Sequence, residues 1–115
     1  MTAITGAIGG DRTGLRLSPT APVNGAGVDS QAEALFAHVM QHLRPLNLAY
    51  IHVIEGQTGG ARDVSSMGVA PLDYDALRRG FNGAWMVNNG YDYGMAQAVL
   101  AERRADLVAV GRPLI

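Results

Sequence analysis

Apolar residues in this chain fall into four short runs separated by stretches of helical spacing, and that alternation predicts the architecture before any single residue is considered. In Gly14-Leu15-Arg16-Leu17-Ser18 the two leucines share one face of a strand and Arg16 takes the other, with Pro19 closing it. The run Leu48-Ala49-Tyr50-Ile51-His52-Val53-Ile54 predicts a second strand, and Ala84-Trp85-Met86-Val87-Asn88 a third. The fourth run, Leu107-Val108-Ala109-Val110, is apolar without alternation, which predicts a strand buried on both faces and kept from continuing by Pro113. Between the first two strands, Ser30 and Glu33 predict a capping box, and Leu35, Phe36, Val39, Met40 and Leu43 form one helical stripe limited by Pro45. A short helix is expected from Pro71 to Gly80 with Tyr74 and Leu77 inward, and another capped by Asp92 and carrying Met95, Val99 and Leu100. Residues 2–9 look like the tail of a helix, ended by Gly9-Gly10.

Strands alternating with helices form successive βαβ units, so the fold class is α/β with a parallel sheet. The segments after the strands, 20–28 and 56–70, are rich in Gly, Pro and Asn and are expected to be irregular loops. In a (β/α) barrel such loops form the working face, which places functional residues at or near Ser18, Glu55, Asn89 and Gly111. A complete barrel has eight units in about 250 residues. The 115 residues here supply four, so the expectation is one partial domain, 1–115, folded as a half-barrel.

Two of these strand ends carry the chemistry of an anion seat. Gly111-Arg112 joins a residue that permits close backbone approach to a planar, permanent cation, and Asn88-Asn89-Gly90-Tyr91-Asp92 is a turn that opens a helix. Neighbouring strand ends of this kind can share one phosphate. A turn glycine beside a surface arginine is the plainer reading of Gly111-Arg112, and Asn89-Gly90 alone is a common turn signal, so the functional reading depends on the two together.

Other candidates are weaker. His38 and His42 have the spacing of a metal pair but lack a third ligand, which favours two solvent-edge residues of an amphipathic helix. His52 shares a strand face with Tyr50 and Ile54 and is read as a hydrogen-bonded core histidine. Glu55 and Asp63 stand at or beyond a strand end without a paired carboxylate and are read as solvated loop residues. The Gln57–Arg62 loop either shapes a pocket or is mobile. No metal site is expected. A net charge of -1 excludes an electrostatic grip on nucleic acid or membrane, and the absence of Lys and Cys excludes a Schiff-base lysine, a thiolate nucleophile and a disulfide framework. Hydrophobic content of 48% against 17% charged marks a folded globular chain. Without a leader or an apolar span, the expected compartment is the cytoplasm.

Four blocks, Arg12-Thr13-Gly14-Leu15-Arg16-Leu17-Ser18-Pro19, Tyr50-Ile51-His52-Val53-Ile54-Glu55, Asn88-Asn89-Gly90-Tyr91-Asp92 and Ala109-Val110-Gly111-Arg112-Pro113, together resemble the old yellow enzyme family of flavin-dependent reductases, in particular its N-ethylmaleimide and glycerol trinitrate reductase branch. The match covers nearly the whole chain and corresponds to strands five to eight of the family's TIM barrel. The resemblance implies FMN as cofactor and NAD(P)H as reductant, with hydride passing through the flavin to an activated alkene or nitro compound. It implies that Arg16 lies against the pyrimidine end of the flavin, and that Asn89 and Gly90 on one side and Gly111 and Arg112 on the other hold the FMN phosphate. The family's substrate-anchoring pair and tyrosine proton donor belong to upstream strands with no counterpart here. No catalytic residue is therefore assigned, and turnover by this chain alone is not expected. The rival expectation is a non-catalytic half-barrel that binds phosphate or self-associates through its two open edges, or pairs with a missing N-terminal half.

Overall fold

A computed structural model describes residues 1–21, 27–57 and 60–115. Parts of two predicted loops, 22–26 and 58–59, lie outside the described residues. The elements run α1 (Thr2–Ile8), β1 (Gly14–Leu17), α2 (Ala32–Leu43), β2 (Tyr50–Ile54), α3 (Tyr74–Arg79), β3 (Ala84–Asn88), α4 (Tyr93–Ala101) and β4 (Leu107–Ala109), with short 3-10 turns at Gly10–Arg12, Arg44–Leu46, Ser65–Met67 and Arg112–Leu114. All four strands are parallel and pair in chain order, β1-β2-β3-β4. Sequential order without a reversal is the arrangement of a barrel wall and not of a doubly wound sheet. The chain is thus a partial (β/α) barrel.

The register aligns Leu15, Ile51 and Trp85 in one row and Leu17, Val53, Val87 and Val108 in the next. These side chains face the helices, where Met40 and Leu43 of α2, Leu77 of α3 and Val99 of α4 complete one core around the fully buried Trp85. The alternate rows, Gly14, Tyr50 and Ala84 and then Arg16, His52, Met86 and Leu107, lie on the opposite face. That face corresponds to a barrel interior, and here it is largely open: Arg16, Tyr50 and Leu107 are exposed and His52 and Met86 only half-buried.

Several expectations give way. Leu107 and Val110 are each 45% exposed, so the fourth run is not buried on both faces. It forms an edge strand with helices on one side only, and it ends at Ala109, before Pro113. The Ser30–Glu33 capping box is absent: α2 begins after Gln31 with no side-chain cap, because the Asp29 carboxylate accepts from the Gln31 N–H at 2.7 Å and takes the role of local turn-former. In α3 the cap is Asp73, accepting from the Ala76 N–H at 2.9 Å, so Pro71 lies before the helix and not in its first turn. Asp92 caps α4 as expected, accepting from Met95 at 2.8 Å, yet of that helix's apolar stripe Val99 is buried while Met95 and Leu100 are exposed. β1 stops one residue short of Ser18, and β2 starts at Tyr50 and not Leu48.

Candidate functional site

At the C-terminal ends of β1, β2, β3 and β4 the chain encloses a cavity of about 470 Å³. Arg16 reaches it from the open face of β1; Asn89 and Gly90 contribute the turn after β3, and Gly111 and Arg112 the turn after β4. All five residues singled out in the sequence line this one cavity. Among the other wall residues are Tyr91, assigned no role of its own from the sequence, and Gly60, from the loop read as either pocket-shaping or mobile.

The turn after β3 has an unusual backbone. Asn89 adopts φ +108° and Gly90 φ +66°, in the half of conformational space that L side chains avoid. Asn89 stays there because its Nδ2 donates to the Glu55 carbonyl at 2.6 Å and to the Gln57 carbonyl at 3.0 Å, which ties its side chain to the neighbouring loop, while Asn89 and Gly90 both line the cavity. At Gly111 a Cβ would meet nothing within 4 Å. No part of the described chain needs that position to be glycine, and Gly111 lines the cavity.

Behind the turn lies a polar cluster that sequence reasoning missed. Glu55, read as a solvated loop residue, is 9% exposed. Its Oε2 accepts from Arg62 Nη2 at 2.7 Å and from the Tyr91 hydroxyl at 2.7 Å. The Arg62 guanidinium stacks 4.1 Å from the Tyr91 ring centroid and Nη2 also donates to the Tyr91 hydroxyl at 3.3 Å, while Nη1 is buried without a hydrogen-bond acceptor among the described residues. Burial, reinforced by the adjoining Glu55 carboxylate, pushes the Tyr91 phenol up to about 12, so it is a neutral donor at physiological pH. Glu55 and Tyr91 follow β2 and β3 on the rim, which was the available signal, while Arg62 lies further along the loop after β2; the contacts that bring Tyr91 to Arg62 and Glu55 span 29 and 36 positions and have no local signature. A second link, from Thr20 Oγ1 to the Tyr74 hydroxyl at 3.1 Å and from the Gly56 N–H to the same hydroxyl at 3.1 Å, ties the loop after β1 to the loop after β2.

The remaining candidates separate cleanly. His38 and His42 are exposed, His42 Nδ1 contacting the His38 carbonyl at 3.0 Å, and no group of three potential metal ligands occurs among the described residues. Asp63 is exposed and caps the turn at Ser65, whose hydrogen bonds lower its carboxyl pKa. His52 is not the hydrogen-bonded core residue expected: its Nε2 is buried with no partner among the described residues, and its register neighbours on the open face are a cation, Arg16, and Met86, whose thioether is at best a weak acceptor. Burial first, and the Arg16 charge second, hold its pKa below the usual value.

A sequence model of the NADH:flavin oxidoreductase / NADH oxidase family matches residues 1–115. The chain belongs to this family. It is 38% identical over 114 residues to a putative 12-oxophytodienoate reductase 10 of Oryza sativa subsp. japonica, a match covering 97% of this chain and 36% of that protein. Among solved structures it superposes on the old yellow enzyme from Trypanosoma cruzi with a TM-score of 0.79 at 30% identity, covering 94% of this chain and 26% of the other. Morphinone reductase gives a TM-score of 0.77 at 31% identity, with coverages of 96% and 28%. The chain therefore spans about a third of the length of the curated relatives it matches.

Members of the NADH:flavin oxidoreductase family use FMN. The residues at this cavity fit that group: Arg16 and Arg112 supply fixed positive charge, and Gly90 and Gly111 in its wall carry no side chain to keep an anion from the main chain.

Proposed function

We propose that this chain forms the phosphate-holding part of an FMN site in an NAD(P)H-dependent flavin oxidoreductase of the ene-reductase or nitro-ester reductase type. The observation that carries the reading is the convergence of Arg16, Asn89, Gly90, Gly111 and Arg112 on one rim cavity from three different strands. FMN, when bound, supplies hydride transfer between NAD(P)H and an activated alkene or nitro compound. The chain's own contribution is binding and orientation. Gly90 and Gly111 let the main chain approach the phosphate, Arg112 gives it a charge-assisted contact, and Arg16 places a permanent cation beside the cavity where negative charge on a flavin ring is stabilised. The substrate-side groups are not among these residues, so the activity is that of a complete barrel. With a net charge of -1 and no cysteine, the chain suits neither a nucleic-acid nor a membrane-surface role, and the reading places it in the cytoplasm; among the described residues no helix is long and apolar enough to cross a membrane.

The test is a flavin titration of the purified chain followed by flavin fluorescence. Saturable FMN binding, with riboflavin bound at least about tenfold more weakly for want of the phosphate, is the expected result. Equal affinity for the two flavins would overturn the assignment of the seat.

The open inner face of the sheet favours a second reading, a non-catalytic half-barrel that self-associates. β1 and β4 each present an unpaired edge, and Tyr50 and Leu107 are exposed where a barrel interior would cover them. A colourless chain that oxidises no NADPH in the presence of an enone but sediments as an oligomer would favour this reading over the first.

A further inference from the structure

We infer that Arg62 and Glu55, acting through Tyr91 and Asn89, are positioning residues that set the geometry of the Asn89–Gly90 turn and thereby of the anion seat. The inference rests on the reading of that cavity as a phosphate site. Of the three consecutive residues after β3, the first and third are held from the loop after β2, and the second lies against it. Asn89 is fixed by two carbonyls of that loop, Gly90 packs so that a Cβ would come within 3.3 Å of the Arg62 side chain, and Tyr91 is bonded to Glu55 and covered by Arg62. Glycine takes positive φ freely, but Asn89 at φ +108° is held there by its surroundings, and its two side-chain hydrogen bonds to the loop after β2 supply that hold.

The charges make the arrangement specific. Glu55 touches Tyr91, and Tyr91 lines the cavity, so an uncompensated carboxylate here would oppose an anion. Arg62 cancels it across 2.7 Å. Removing Arg62 alone therefore releases the turn and also exposes the seat to a negative charge, whereas removing both charges leaves the second effect out. A purely structural role predicts no such asymmetry between the single and the double variant.

The experiment compares FMN and riboflavin titrations of wild type, Arg62→Met, Glu55→Gln/Arg62→Met and Arg112→Ala. Expected for Arg62→Met is FMN affinity about tenfold weaker with riboflavin changed by less than about threefold, and for the double variant a partial recovery, to about threefold weaker than wild type, because the charge is gone while the turn stays released. Full FMN affinity in Arg62→Met beside a weakened Arg112→Ala would overturn the inference and leave the seat intact; full affinity in Arg112→Ala would overturn the seat itself. A double variant no better than the single would overturn the charge argument. If Arg62→Met does not fold, Tyr91→Phe carries the test, with a smaller loss in the same direction. A ligand-free readout is independent of flavin: in 15N spectra the Gly90 amide should move in Arg62→Met while the Gly111 amide stays, and an unmoved Gly90 would overturn the inference.

Discussion

Arg112 and His38 show how differently two ionisable side chains of one chain behave. Arg112 lines the rim cavity, and loss of a charge-assisted contact to phosphate costs about 1.5–3 kcal/mol of binding. His38 is exposed on α2, away from the strand ends, and its loss should leave affinity within about 0.5 kcal/mol. Arg112→Ala is thus expected to weaken FMN binding about tenfold or more and His38→Ala hardly at all, in the same fluorescence titration. His52 gives a prediction about stability. Its pKa is lowered in the folded state, so the unfolded chain takes up the proton first as pH falls. Its contribution is intact above the ordinary value of 6.5 and is lost as pH drops through that value towards the folded-state pKa. Melting curves at about pH 7.5 and about pH 5 should show a smaller acid loss for His52→Gln than for wild type; equal losses would show that His52 is not the group responsible.

Helix starts are decided by which carboxylate reaches which N–H. Asp92 accepts from Met95 at 2.8 Å, so Asp92→Ala is expected to destabilise the chain by about 1 kcal/mol and to loosen the first turn of α4 beside the cavity. Ser30 makes no cap contact with α2, and Ser30→Ala should change stability by less than about 0.5 kcal/mol. Urea denaturation compares the two directly, and a Ser30 effect as large as that of Asp92 would reinstate the capping box. The S-x-x-E pattern was legible and still misleading, because Asp29 one position earlier closes the turn with the Gln31 N–H. Strand positions were more robust, since period-two burial needs only one covered face to be enforced, and β3 was found with its boundaries unchanged.

At the scale of the whole molecule the sheet has one covered face and one open one. Among the described residues, four parallel strands in sequential order leave β1 and β4 with unpaired backbone, and two copies related by a two-fold axis along the strands can join β4 of each to β1 of the other. We expect a dimer or larger assembly of the 12.1 kDa chain in analytical ultracentrifugation at about micromolar concentration. Leu107→Lys, on the open face of the β4 edge, should shift it towards monomer, since an inward-pointing charge blocks edge pairing. A stable, cooperatively unfolding wild-type monomer would show that four units suffice without a partner.

The amino-acid sequence by itself determined the number, order and type of the elements, the parallel class and the placement of Arg16, Asn89, Gly90, Gly111 and Arg112 at strand ends, because each follows from periodicity or turn chemistry within a few residues. Tertiary structure alone decided that Glu55 is buried against Arg62 and Tyr91, that the Asn89 side chain holds the neighbouring loop, and that the face carrying Arg16 and His52 is open. Those outcomes depend on strand register and on contacts across 34 and 36 positions, which no local pattern of residues encodes.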